Sequence, residues 1–152
     1  MPGAARENVA ENGRDDVSGA VTVTWKGEGL LFEGKTGNGR VDLVSGLDAG
    51  AEGARPMELL AVALGGCTAM DVLSILDKMR QPVEGMSVEV RGTRAEEHPK
   101  RYTALEVVYR FRGDLDEAKV ARAIELSEIR YCSVAATLRP GVPIASRFEI
   151  ER

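Results

Sequence analysis

The chain has 152 residues, 43% hydrophobic and 29% charged, with a formal net charge of -4. That length suits one folded domain with a sizeable core, and the balance of apolar to charged residues excludes global disorder. An acidic surface cannot neutralise phosphates broadly, so neither nucleic acid nor anionic membrane is an expected partner.

Residues 1–18, MPGAARENVAENGRDDVS, are small, polar and without period, the composition of a disordered arm. Residues 19–152 are expected to form the folded domain. Val21, Val23 and Trp25 alternate with Thr22, Thr24 and Lys26, which predicts a half-buried strand. Residues 30–32 and 41–44 predict two more strands of an antiparallel meander, with the tight-turn pair Asn38-Gly39 between them. The glycine-rich stretch 46–54 reads as a mobile connection.

Pro56 stands where a helix can begin, and the pattern carries it to about Arg80. Its apolar residues point in nearly every direction, which predicts burial on most sides. Gly65-Gly66 would each weaken a helix by about 1 kcal/mol relative to alanine, so close approach of another backbone or side chain is expected there. The apolar run 59–76 is interrupted by Gly65, Gly66 and Asp71 and reads as a core helix rather than a membrane span. Residues 86–91 and 102–112 predict a hairpin across the charged loop AEEHPKR, in which His98 reads as an ordinary solvated residue. Asp114 and Glu117 have capping-box spacing ahead of another helix, residues 132–138 predict a short one, and residues 148–150 a last strand.

The chemistry narrows to two cysteines. The N-terminus has neither a basic region nor an apolar core of a signal peptide, so a cytoplasmic location is expected, where Cys67 and Cys132 serve as buried thiols or redox groups rather than as a structural staple. One histidine and two cysteines 65 positions apart argue against a zinc cluster, and no glycine-rich phosphate loop is present. No cofactor and no metal are therefore expected. Cys67 lies mid-helix in apolar surroundings that disfavour a thiolate unless a cation offsets the desolvation. Cys132 heads a short helix, where unsatisfied amides favour one.

Residues 56–72, PMELLAVALGGCTAMDV, followed by Tyr131-Cys132-Ser133-Val134, resemble the OsmC/Ohr family from the first strands to the last. The resemblance implies an α+β fold in which two subunits intertwine as a homodimer, with antiparallel sheets around a long central helix and active sites at the interface. It also implies a thiol-dependent peroxidase for organic hydroperoxides: Cys67 attacks the peroxide, Cys132 resolves the sulfenic acid into a disulfide, and a dithiol, for instance a lipoyl-type group, reduces it.

The family's glutamate directly follows the helix-opening proline, and here that position holds Met57. Glu58 lies nine residues before Cys67, which on an ideal helix is the opposite face, so it could substitute only from an irregular helix start. Asp71, four residues after Cys67, should share its face and would oppose a thiolate unless an arginine lies between them. Arg40 and Arg55 are the candidates for that cation. Met57 also favours a second reading, a non-enzymatic dimer of the same fold holding a hydrophobic small molecule in an interfacial pocket. Transfer chemistry on lipoyl or persulfide species is a third.

Overall fold

The computed structural model describes residues 19–152, so the arm expected at 1–18 lies outside the described residues. These fall into two compact units, one ending at Arg55 and one spanning Pro56–Arg152.

The first unit is the expected antiparallel meander, β1 (Thr22–Trp25), β2 (Phe32–Lys35) and β3 (Arg40–Leu43), in that spatial order. The β2–β3 turn is organised by Thr36, whose hydroxyl accepts the amides of Asn38 and Gly39 at 3.3 and 3.0 Å. β2 begins later than its apolar residues suggest because 27–31 form a turn, with Gly27 and Gly29 at φ of 94° and 49°. The half-buried β1 is a correction: Val21, Val23 and Trp25 are 66, 56 and 55% exposed. The alternation is present, but no described residue covers its apolar side.

The second unit is α+β. Helix α1 (Pro56–Lys78) precedes the hairpin β4 (Gly85–Arg94) and β5 (Tyr102–Arg112). Then follow α2 (Glu117–Leu126), a π-helical turn (Ser127–Tyr131), α3 (Ser133–Leu138) and β6 (Ile144–Glu151). β4 and β6 flank β5, β4 antiparallel and β6 parallel, so this sheet is mixed rather than wholly antiparallel. The parallel pairing needs a crossover, which residues 113–143 supply through α2, the π-turn and α3.

α1 buries one stripe, Leu64, Thr68, Val72 and Leu76 at a spacing of four, together with Gly65. Burial on most sides is thus corrected: Leu60, Val62, Met70 and Leu73 are 40, 64, 75 and 46% exposed. By length and composition alone α1 could cross a membrane, its most apolar 18-residue window reaching a mean hydropathy of 2.0, which the interruptions at Gly65, Gly66 and Asp71 do not prevent. A Cβ on Gly65 would stand 3.0 Å from Val90 Cγ2, so β4 does approach the helix at that glycine; a Cβ on Gly66 would meet no other element within 4 Å among the described residues. The other face of the sheet carries a charged lattice above buried Val108. Arg91 and Arg110 bond Glu89 at 2.7 and 2.8 Å and hold its carboxyl down at about 2, while Arg147 bridges Glu106 and Glu149.

The α2 cap is Asp116, which accepts the amides of Ala118 and Lys119 at 2.9 and 3.2 Å, rather than the box of Asp114 with Glu117. Leu115 is buried, so the chain turns inward once more before the helix starts.

Tyr102 fixes the start of α1, its hydroxyl donating to the Met57 carbonyl at 2.7 Å. The Tyr102 ring occupies the space a side chain on Gly92 would need. Gly92→Ala must displace the ring and break that bond, and is expected to cost about 1–3 kcal/mol in urea unfolding.

Candidate functional site

Cys67 sits half-buried on α1 beside Thr68, and Asp71 follows one turn later on the same face. Cys132 is buried between the π-turn and α3, as the α3 N-cap, with φ and ψ of -72° and 102°. One ligand atom from each, the two sulfurs and an Asp71 carboxylate oxygen, lie within 4.8 Å of one another. The two thiols, 65 positions apart in the sequence, thus have their sulfurs within 4.8 Å of each other. The argument from spacing against a cluster is therefore corrected: the crossover back over α1 brings both cysteines and a carboxylate to one point.

A buried chain of hydroxyls runs into this point. Tyr109 Oη lies 2.6 Å from Thr68 Oγ1, Thr68 Oγ1 lies 2.9 Å from Ser127 Oγ, and Ser127 Oγ donates to Asp71 Oδ2 at 3.0 Å. A carboxylate only accepts, and each hydroxyl has one proton. Ser127 gives its proton to Asp71, Thr68 must therefore donate to Ser127, and Tyr109 to Thr68. Every dipole in the chain points toward Asp71. Burial pushes the Tyr109 hydroxyl up to about 12, with the negative charges of Glu128 and Asp71 adding to it, which suits its role as donor. Tyr109, Thr68 and Ser127 were not singled out in the sequence; the single polar side chain in an otherwise apolar helix stripe is the available signal for Thr68.

The remaining predicted residues divide. α1 is helical from Pro56 onward, so the irregular start that Glu58 needed is absent, and Glu58 lies in the exposed first turn. Arg40 and Arg55 belong to the first unit, where Arg40 pairs with Glu33 at 3.6 Å. Within Pro56–Arg152 no arginine contacts Asp71, whose hydrogen-bond partner is Ser127. Glu128 on the π-turn has one carboxylate oxygen buried without a hydrogen-bond partner among the described residues. A cleft of about 420 Å³ lined by Asp71, Ile75, Lys78, Leu126 and Tyr131 opens beside the site.

At Cys132 the helix-head effect is present but outweighed. Ala135 N–H donates to its sulfur at 3.4 Å, while burial, followed by Cys67 and Asp71 nearby, pushes the thiol from 9.0 up to about 11. The folded state therefore holds this proton longer than the unfolded chain does. Stability from that source is complete below pH 9 and is lost as pH rises through 11. Urea midpoints across that range should fall more for the wild type than for Cys132→Ala.

A model of the OsmC-like protein family matches residues 49–147. The chain is 41% identical over 124 residues to Protein YhfA of Escherichia coli K12, spanning 81% of this chain and 92% of YhfA. Among solved structures, the OsmC like protein from Mycoplasma pneumoniae superposes with a TM-score of 0.79 at 13% identity, covering 90% of this chain and 99% of that one. The organic hydroperoxide resistance protein OhrB of Bacillus subtilis gives a TM-score of 0.61 at 17% identity, covering 86% and 98%. These two structural likenesses concern the fold alone.

Proposed function

Because the chain belongs to the OsmC-like family, we propose that it is a thiol-dependent peroxidase reducing organic hydroperoxides through Cys67 and Cys132, with a dithiol of lipoyl type as reductant. The observation that carries this reading is the approach of the two sulfurs within 4.8 Å. The Cys67 thiolate attacks the distal peroxide oxygen; the O–O bond breaks and the organic oxygen leaves as an alcohol after taking a proton. Cys132 then attacks the sulfenic sulfur, the S–O bond breaks, and the Cys132 proton leaves with the hydroxyl as water. An external dithiol reopens the disulfide by exchange.

Asp71 and the unpartnered oxygen of Glu128 both call for positive charge. Arg40 and Arg55 are the candidates to supply it, since a cation within about 4–6 Å lowers a thiol by whole pKa units. The exposed face of α1, with Val62 at 64% and Met70 at 75%, favours a homodimer that covers it. Light scattering should give about twice 16.3 kDa.

The test of the peroxidase is its asymmetry. Organic hydroperoxide should consume both thiols of the wild type and yield an intramolecular disulfide by mass spectrometry. Cys132→Ser should stop at the sulfenic acid and pass to higher acids in excess oxidant, whereas Cys67→Ser should lose turnover altogether. Survival of both wild-type thiols, or full peroxide consumption by Cys67→Ser, would make the alternative the better reading. That alternative, a dimer holding a hydrophobic small molecule, draws support from Met57, which lines a largely apolar hollow of about 550 Å³ with Leu60, Tyr102, Leu138 and Val142.

A further inference from the structure

We propose that in the reduced protein Cys67, Cys132 and Asp71 form a three-ligand seat for zinc. Three independent features converge on it. First, two sulfurs and a carboxylate oxygen already lie within 4.8 Å of one another. Around a tetrahedral zinc, with bonds of about 2.3 Å to sulfur and 2.0–2.2 Å to oxygen, ligand atoms stand just under 4 Å apart, so closing the seat takes a contraction of about 1 Å. Second, the set is chemically matched. Two thiolates and one carboxylate combine soft and hard donors with three negative charges, which suits zinc over magnesium or calcium, and three protein ligands leave the fourth position to water. Third, the carboxylate already has the support that metal ligands characteristically have behind them. The chain Tyr109, Thr68, Ser127 fixes Asp71 Oδ2 and points every donor at it.

The redox pair alone does not account for Asp71. A carboxylate beside two thiols opposes each thiolate. A divalent cation reverses the sign of that arrangement, because coordination deprotonates the thiols and turns the carboxylate from an obstacle into a ligand. Binding is the exchange of two thiol protons for one metal ion, with both sulfurs remaining reduced: two thiols and a divalent zinc ion give a bis-thiolate complex and two released protons. A metal held there occupies the sulfur that would meet peroxide and the sulfur that would resolve it. Zinc would thus protect both thiols and silence the site, and this bearing on turnover rests on the peroxidase reading, whereas the binding itself does not.

The experiment uses the full chain, reduced and freed of metal, titrated anaerobically with cobalt(II) as a spectroscopic stand-in. One equivalent per chain should give the intense near-ultraviolet band of thiolate-to-cobalt charge transfer, release protons, and be displaced by zinc. Zinc-loaded protein should resist alkylation at both cysteines. Cys67→Ser and Cys132→Ser should each weaken the band strongly, and Asp71→Asn and Ser127→Ala should lower the affinity about 10–100-fold while the thiol content and circular dichroism stay those of the wild type. Cobalt bound without the charge-transfer band, or an affinity unchanged in Asp71→Asn, overturns the proposal even if a cysteine variant fails to fold. Hydroperoxide consumption by the same metal-free sample separates the two readings. Turnover without a cobalt band removes only the zinc seat; a cobalt band without turnover removes only the peroxidase.

Discussion

The point on which this structure turns is Thr68. Its side chain is 2% exposed inside an apolar helix stripe, where an unsatisfied hydroxyl would cost about 1–3 kcal/mol. It escapes that cost only if β5 brings Tyr109 and the π-turn brings Ser127 to it at the same time. Hydrogen bonds tolerate a few tenths of an ångström, so three elements are locked to one register. Cys67 is the neighbour of Thr68, and Cys132 follows Ser127 by one turn with its own amide bonded back to the Ser127 carbonyl at 2.8 Å. Placing the hydroxyls therefore places the sulfurs.

Around that point the second unit is unevenly finished. The outer face of its sheet is covered by arginines and glutamates that pair across three strands, and Val108 on that face is buried. The outward side of α1 has no such cover and presents leucine, valine and methionine instead. Charged pairs at such exposure contribute little to stability individually. What they accomplish is to make one face unattractive to other apolar surfaces, in contrast to the exposed apolar side chains of α1.

Much of this could be read from residue order because it is local. Alternation from Tyr102 to Arg112 marks β5 to the residue, and Pro56 with the apolar run beyond it marks α1 to within two residues of its end. The motif around Cys67 and Cys132 carried the family. Long-range relations were not legible from spacing and periodicity; that Cys67 and Cys132 meet came only from the family resemblance. Spacing suggested that two cysteines far apart in sequence remain isolated, since periodicity reports which side a residue faces and not what crosses over it. The same blindness hid the parallel docking of β6, whose apolar residues fit either direction, and the shift of the α2 cap from Asp114 to Asp116, which follows from burying Leu115. The bare faces of β1 and α1 read as covered because hydrophobic patterning does not say who provides the cover.

The π-turn between α2 and Cys132 adds one residue to a helical circuit that would otherwise close sooner. Its widened ring swings whatever follows by about 100° relative to a regular helix. Shortening the segment by a single residue would restore ordinary helical bonding there, and local regularity would improve. The sulfur of Cys132 would then face away from α1. Between Ser127 and Cys132 the number of residues is itself a geometric quantity, a length standard that sets where the Cys132 sulfur meets the Cys67 sulfur.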